Sequence, residues 1–262
     1  YYFGKKLHQK LGVPVGIIQR AFAGTPIEGW MPWGIQSADP RTIAHKKLLD
    51  DGSNRLIARG QTTQKALDNY QEELKEYNAK IDRGETMKNA FRSLSPPIIT
   101  KPSSLGHQYP GHIYNAMIAP IRPYAIRGMI WYQGESNAGR AYQYRDLFPL
   151  MITQWRQEWG IGDFPFYWVQ LADYRDESPE PQESAWAELR EAQTMTLSLP
   201  NSGEAVITDL GEAHDIHPRD KQNVAKRLAR WALANDYGIE VPFRSPQYKS
   251  MEKNGSRIVL TF

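Results

Sequence analysis

Cysteine is absent from all 262 residues of the chain, and this absence removes several kinds of chemistry. Without thiols the protein has no disulfide framework, iron–sulfur cluster, cysteine zinc site or thiol nucleophile. Long apolar runs are also missing, and none approaches the roughly 18 residues that a membrane-spanning helix needs. The formal net charge is only +3, and the basic residues form no stripe, which argues against a nucleic-acid-binding protein.

The residues that are present have a globular composition, 40% hydrophobic and 23% charged. A helical pattern over residues 2–11 is followed by a short apolar run at 14–19, which predicts a buried strand. The same order recurs with predicted strands at 126–132, 164–171 and 205–210 and predicted helices at 142–159, 186–197 and 219–233. Strands that are apolar on both faces and separated by helices predict an α/β fold, a parallel sheet in three α/β/α layers.

Two other regions depart from this pattern. Residues 47–98 are highly polar and predict a helical insertion, with an exposed helix at 64–83 supported by local ion pairs. A lid over the site is the alternative interpretation of this insertion. After residue 238 the composition changes, so the main domain is predicted over 1–238, and 239–262 as a linker and the start of a β-rich domain.

Candidate functional residues lie in the loops that follow the predicted strands, where parallel sheets bind ligands. These loops are 23–30, 131–139 and 214–218. Ser136 stands in a strand–turn–helix setting with aspartate and histidine later in the chain, which would suit an α/β-hydrolase nucleophile. In that pattern a glycine stands two residues after the serine, whereas this chain has Ala138 there, so we rank this interpretation second.

Several segments outside the polar insertion resemble the sialate O-acetylesterases, a branch of the SGNH hydrolases that is also similar to some acetylxylan esterases. The most specific are Trp-Tyr-Gln-Gly-Glu-Ser-Asn at 131–137 and Ile-His-Pro-Arg-Asp-Lys-Gln at 216–222. The resemblance implies an SGNH-like fold and hydrolysis of acetyl esters on sugars by a serine–histidine mechanism, with no cofactor or metal. It also implies an acetylated sugar as the substrate and a periplasmic or secreted location.

The resemblance assigns roles to individual residues. His217 matches the catalytic histidine, which takes a proton from the serine and returns it to the departing sugar hydroxyl. Many SGNH enzymes place an aspartate three residues before this histidine, where this chain has His214. Either Asp215 or a backbone carbonyl is therefore expected to orient the ring.

The resemblance also predicts an oxyanion hole and a substrate site. The backbone N–H of Gly24 and a side-chain amide from the 133–137 loop form the expected oxyanion hole, with Asn137 favoured and Gln133 next. Aromatic and charged residues near these loops are candidates for sugar binding, whereas Trp131 and Trp168 are expected in the core. The candidate substrate-binding residues are Trp30, Glu135 and Arg190.

One part of the family pattern is missing from the chain. A Gly-Gln-Ser-Asn-like motif after the first strand carries the nucleophile in the family, and no such motif occurs in these 262 residues. We therefore expect the serine and its strand upstream of Tyr1. The alternatives are a non-catalytic carbohydrate-binding fragment and an esterase that uses Ser136.

Overall fold

The computed structural model describes residues 1–58, 63–84 and 106–262. The chain divides into two compact units. The first consists of Tyr1–Ile27 with Met117–Phe262, and the second of Glu28–Ala116. The loops predicted to hold the oxyanion hole and the histidine lie in the first unit, apart from the end of loop 23–30.

The first unit is built on a three-stranded parallel sheet, which confirms the predicted strand direction. Its strands are β1 (Met129–Trp131), β2 (Phe166–Val169) and β3 (Ser202–Ala205), in that order across the sheet. Each strand is shorter than its apolar run, and β3 begins before the predicted start at residue 205. Pairing explains this shift, because Ser202–Ala205 are the residues opposite Phe166–Val169.

The four predicted helices of the first unit occur in their predicted order, and two further helices begin at Trp33 and Pro40. The described residues form α1 (Tyr2–Leu11), α2 (Trp33–Gln36), α3 (Pro40–Ala58), α4 (Thr63–Asp82), α5 (Ala141–Trp159), α6 (Ala185–Met195) and α7 (Lys221–Asn235). Short 3₁₀ helices lie at Ile27–Trp30, Ala119–Ile121, Glu135–Arg140 and Thr196–Ser198, and a π-helix at Tyr114–Ile118.

Helix ends are set by caps. Gly12 closes α1 with a left-handed φ of 69°, and its N–H donates to the His8 carbonyl. Asp220 caps α7 by accepting the Asn223 N–H, so this helix starts at Lys221 rather than at the predicted 219. Pro218 therefore lies before the helix.

The core of the first unit has two faces, as a three-layer fold requires. Tyr167 and Val169 pack on one side with residues of α1 and α7, such as Leu7 and Leu228. Phe166 and Trp168 point to the other side, where the Phe148 ring of α5 lies 6.3 and 5.2 Å from them. The predicted α/β/α layering is confirmed within this unit. The apolar spacing of the predicted helix at 142–159 places Leu150 inward as well, but Leu150 on α5 is 37% exposed, so that prediction is wrong.

The predicted strand at 14–19 is wrong. Residues 13–22 have no strand assignment, and Val13, Ile17, Ile18 and Phe22 are 46–50% exposed. On β1, Ile130 is 44% exposed as well. An apolar run becomes a strand only when a neighbouring strand accepts its backbone hydrogen bonds, and the described residues supply no such neighbour for this run.

The second unit contains the polar helices. Helix α4 matches the predicted exposed helix at 64–83, and Lys75–Glu72 and Lys80–Glu76 form its local ion pairs at 2.6 and 3.0 Å. The rest of the predicted insertion, from 85 onward, lies outside the described residues. A lid role for this region stays a prediction.

The chain ends in an exposed antiparallel hairpin of β4 (Ser250–Asn254) and β5 (Arg257–Thr261). Residues 239–249 before it have no helix and no strand. That this hairpin opens a β-rich domain stays a prediction. Among the described helices, none has both the length and the apolar character needed to cross a membrane.

Candidate active site

Two of the predicted loops meet at the side chain of Asn137, which is 1% exposed. Its Oδ1 accepts the backbone N–H of Ile27 at 2.8 Å and the Nε2 of Gln133 at 2.8 Å. The same Gln133 nitrogen donates to the carbonyl of Thr25 at 3.0 Å. The loop that follows Gly24 and the loop that follows β1 are therefore joined by a buried amide network.

Gly134 sets the turn from β1 into this network. Its φ is 154°, and a Cβ at this position would lie 2.6 Å from Leu189 Cδ2 on α6. A side chain here would collide with the core of the first unit, so the close approach requires glycine. The Gly134 carbonyl accepts the Asn137 N–H at 2.8 Å, which begins the 3₁₀ helix Glu135–Arg140.

Sequence reasoning missed two residues of the network. The Gln193 side chain of α6 is fully buried, accepts the Leu171 N–H at 2.9 Å and donates to the Gln133 carbonyl at 3.2 Å. Tyr144 Oη of α5 donates to Gln133 Oε1 at 3.0 Å. Gln193 had a signal in the sequence, because it is a polar residue four positions after Leu189 on the apolar face of a predicted helix.

Gly24 adopts a left-handed φ of 67° and lies exposed at the start of its loop. No heavy atom beyond its chain neighbours lies within 4 Å of the position that a Cβ would take. Glycine is therefore favoured here by the backbone conformation and not by lack of space. Its part in an oxyanion hole stays a prediction.

The histidine loop places a carboxylate beside His217. Asp215 Oδ1 accepts the His217 backbone N–H at 2.9 Å and lies 3.5 Å from the ring Nδ1. That backbone hydrogen bond, with Arg219 as a smaller cause, lowers the pKa of Asp215. His214 lies instead beside Asp176, with Nε2 and Oδ1 3.5 Å apart. Of the two expected orienting groups, the geometry favours the Asp215 carboxylate, although 3.5 Å is long for a hydrogen bond.

The His217 side chain is 84% exposed, so it faces solvent. Burial raises the pKa of Glu135, while hydrogen bonds from the backbone and, to a smaller extent, the nearby His217 and Lys221 oppose this rise. Lys221 Nζ also lies 5.4 Å from the centre of the Tyr132 ring. The histidine loop and the start of α7 thus lie close to the loop that holds Asn137. A substrate contact for Glu135 stays a prediction.

The remaining predicted residues lie in different surroundings. Trp30, in the second unit, is 3% exposed, and a sugar contact for it stays a prediction. Arg190 is half-buried on α6, and a substrate role for it stays a prediction. Ser136 lies exposed in the 3₁₀ helix, whereas Trp131 and Trp168 are buried, as expected of core residues. Across the described residues, no three His, Asp or Glu side chains gather as a metal site.

Comparison with protein families decides the class of the molecule. Residues 100–234, just over half of the chain, match the family model SASA, described as carbohydrate esterase, sialic acid-specific acetylesterase. The chain belongs to this carbohydrate esterase family. The match includes Gln133, Asn137 and His217.

Individual members of the esterase family are similar to nearly the whole chain. The sialate O-acetylesterase of Mus musculus is 31% identical over 96% of this chain and 45% of its own length. That of Homo sapiens is 28% identical over 96% of this chain and 42% of its own length. A crystal structure of a carbohydrate acetylesterase from Xanthomonas citri has 32% identity and a TM-score of 0.69, covering 99% of this chain and 45% of that protein. The chain thus spans less than half the length of these relatives.

Proposed function

We propose that the polypeptide containing these residues removes O-acetyl groups from sialic acid or a related acetylated sugar by a serine–histidine mechanism. Membership of the esterase family and the names of its relatives support the substrate class. The observation that carries the chemistry is the double hydrogen bond to Asn137 Oδ1, from Ile27 and Gln133. It holds a buried side-chain amide in one orientation at the end of a parallel strand.

Asn137 supplies one donor of the oxyanion hole in this proposal. The two hydrogen bonds to its oxygen hold the amide in place, and an amide donates through its nitrogen. Gly24 supplies a second donor through its backbone N–H, in the loop that Gln133 ties to Asn137 through the Thr25 carbonyl. Such donors meet charge that develops only in the tetrahedral transition state, and each contributes about 3–4 kcal/mol.

His217 is the general base. It takes the proton of the serine as the serine oxygen attacks the acetyl carbonyl, and it returns that proton to the departing sugar hydroxyl. Water then hydrolyses the acetyl-serine with the same histidine as base. The ionised Asp215 beside Nδ1 favours the ring orientation and stabilises the imidazolium that forms.

The nucleophilic serine lies in a part of the polypeptide outside these 262 residues. Three observations support this step: the family's serine motif is absent here, the relatives are more than twice as long, and apolar residues on β1 and at 13–22 are exposed. Parallel sheets are normally buried, so these residues suit the surroundings of a further strand. That strand would end near the Gly24 and Asn137 donors.

Labelling of the full-length protein with a fluorophosphonate, followed by mass spectrometry of the labelled peptide, tests this assignment. We expect the label on a serine outside residues 1–262. A label on Ser136 would replace the proposal with the α/β-hydrolase-like alternative. Absence of any label would favour carbohydrate binding without catalysis.

The base is tested by acetate release from an O-acetylated sialoside. His217→Ala is expected to lower kcat by about 1,000-fold or more, because the serine loses its proton acceptor. His214→Ala is the matched control, since this neighbouring histidine pairs with Asp176, and its kcat should stay close to wild type. Turnover of His217→Ala equal to that of His214→Ala would contradict the assignment.

A further inference from the structure

Lys221, the first residue of α7, lies beside the loop that follows β1. Its Nζ is 5.4 Å from the centre of the Tyr132 ring, which is close enough for a cation–π contact. The carboxyl group of Glu135 in the same loop lies near both Lys221 and His217. A cationic side chain, an aromatic ring, a carboxyl group and the proposed general base therefore gather at one place in the first unit.

The local structure holds Lys221 next to the histidine loop. Only residues 218–220 separate it from His217, and Asp220 caps α7 by accepting the Asn223 N–H at 3.0 Å. This cap fixes the start of the helix at Lys221 and therefore the position of the lysine backbone. The carboxylate of Asp220 serves the end of the helix, whereas the Lys221 side chain is exposed to solvent.

The two cations that follow His217 in the chain have different partners. Arg219 Nε lies 3.5 Å from Asp215 Oδ2, so this guanidinium pairs with the acid beside the histidine. Within the described part of the chain, no carboxylate lies within ion-pair distance of Lys221 Nζ. An exposed ammonium group without an acidic partner is suited to bind an anionic group of a ligand. Of these two cations, Lys221 is therefore the one that a substrate can engage.

Arg190 is the cation that the sequence suggests for substrate binding, and its surroundings differ from those of Lys221. It lies half-buried on α6, and its backbone carbonyl accepts Thr194 Oγ1 at 3.1 Å. Within residues 1–58, 63–84 and 106–262, no hydrogen bond or ion pair links its guanidinium to the loops that hold Glu135 and His217. The observed contacts thus connect Lys221, and not Arg190, with the candidate site.

We propose that Lys221 binds the carboxylate of an acidic acetylated sugar and thereby makes the enzyme prefer anionic over neutral substrates. This proposal rests on the proposed esterase function, in which His217 is the general base. Sialic acid carries a carboxylate that is ionised at neutral pH, whereas neutral acetylated sugars have no charged group. A hydrogen bond between an ammonium and a carboxylate group is roughly twice as strong as one between neutral groups. Lys221 therefore acts on substrate binding and not on proton transfer.

The test compares two substrates that differ only in charge, using acetate release by the full-length enzyme. They are an O-acetylated sialoside and the same sialoside with its carboxylate converted to a carboxamide. Lys221→Met removes the charge, and we expect kcat/KM for the carboxylate substrate to fall about 10- to 100-fold, mainly through KM. For the carboxamide, kcat/KM should change by no more than about twofold. Lys226→Met, also exposed on α7, is the matched control and should leave both values within about twofold of wild type.

A conservative variant distinguishes charge recognition from a general structural role. Lys221→Arg keeps the positive charge and should retain the preference for the carboxylate substrate to within about threefold. An equal loss of kcat/KM for both substrates in Lys221→Met would overturn the proposal, and so would a wild-type preference in that variant. Loss of the preference in Arg190→Met, with Lys221→Met unaffected, would assign the carboxylate to Arg190 instead.

The wild-type enzyme separates this proposal from the proposed function. If it releases no acetate from either sialoside, the proposed function fails. If it releases acetate from the carboxylate and the carboxamide with equal kcat/KM, the esterase function stands and the role of Lys221 fails. A measurement without turnover completes the test: by titration calorimetry, the deacetylated sialoside should bind Lys221→Met about 10-fold or more weakly than wild type. Equal binding to the two proteins would contradict the proposal.

Discussion

The first unit has a buried side around the central strand β2 and an exposed side that comprises β1 and residues 13–22, and the two have similar residues and opposite surroundings. On β2, Phe166, Trp168 and Val169 are fully buried between helices on both faces. On β1 and in residues 13–22, Ile130, Ile17 and Ile18 are 44–50% exposed. A run of hydrophobic residues thus indicates that a segment can be buried. Whether it is buried depends on other parts of the structure that cover it.

The largest effect on stability is expected when a side chain is removed on the buried side. Trp168→Ala is expected to lower the free energy of unfolding by about 3–5 kcal/mol, because it leaves a cavity beside Phe148 and removes the donor to Glu204 Oε1. Chemical denaturation measures the change. A cost below 1 kcal/mol, on the order of a surface substitution, would show that the two sides do not differ in packing.

The buried side also holds a carboxyl group whose titration affects stability. Burial raises the pKa of Glu204 to about 7, although hydrogen bonds from Thr194 and Trp168 oppose the rise. The folded protein therefore keeps this proton at pH values where the unfolded chain has lost it. Its contribution to stability is complete below the unfolded pKa and is lost as the pH rises through about 7.

Glu204→Gln should remove this pH dependence, which amounts to about 3 kcal/mol between pH 4.5 and 8. Denaturant unfolding of both proteins across that range measures it. The exposed Glu252 on β4 offers the matched control, and Glu252→Gln should leave the curve of the wild type unchanged. Parallel curves for wild type and Glu204→Gln would contradict the raised pKa.

An intermediate effect on stability is expected at Gly134, where the loop that follows β1 packs against Leu189 of α6. Gly134→Ala places a Cβ 2.6 Å from Leu189 Cδ2, and we expect a cost of about 1–3 kcal/mol from overpacking and backbone strain. Gly139→Ala in the same loop meets no atom within 4 Å and serves as the control. Thermal unfolding compares them, and equal melting temperatures would argue against close packing of this turn.

The smallest effect is expected on the exposed side. Ile18→Ser and Ile130→Ser should each change the stability of the 262-residue chain by no more than about 0.5 kcal/mol, since both side chains already contact solvent. In the full-length polypeptide the same substitutions should cost about 1–3 kcal/mol if a further strand covers them. Equal small effects in both proteins would argue against that strand.

Much of the fold follows from local pattern. The helices at α1, α5, α6 and α7 were predicted within a few residues, because amphipathic spacing and caps such as Gly12 act over short distances. Strand ends were predicted less well, because they depend on pairing, as β3 shows. The prediction of a strand at 14–19 was wrong for the same reason, because the strand with which it would pair is not among the described residues.

The candidate site, too, could be predicted from sequence only in part. The loops that carry Gln133, Asn137 and His217 could be found from their residue types and their position after strands. The hydrogen-bond partners of Gln133 and Asn137 could not be predicted from sequence, because both are amides in one loop. These partners are Ile27, Thr25 and Tyr144, which lie 110, 108 and 11 positions away along the chain.

The sequence by itself indicated the class of chemistry, through the absence of thiols and the two specific motifs, and it determined the order of the main helices and of the three paired parallel strands. The tertiary structure alone decided which apolar runs are covered, which carboxylate lies beside His217, and which groups bind the side-chain amides of Gln133 and Asn137. The physical reason is the range of the interactions. Periodicity and capping act within a few residues, whereas burial and hydrogen-bond polarity depend on groups that only folding brings together.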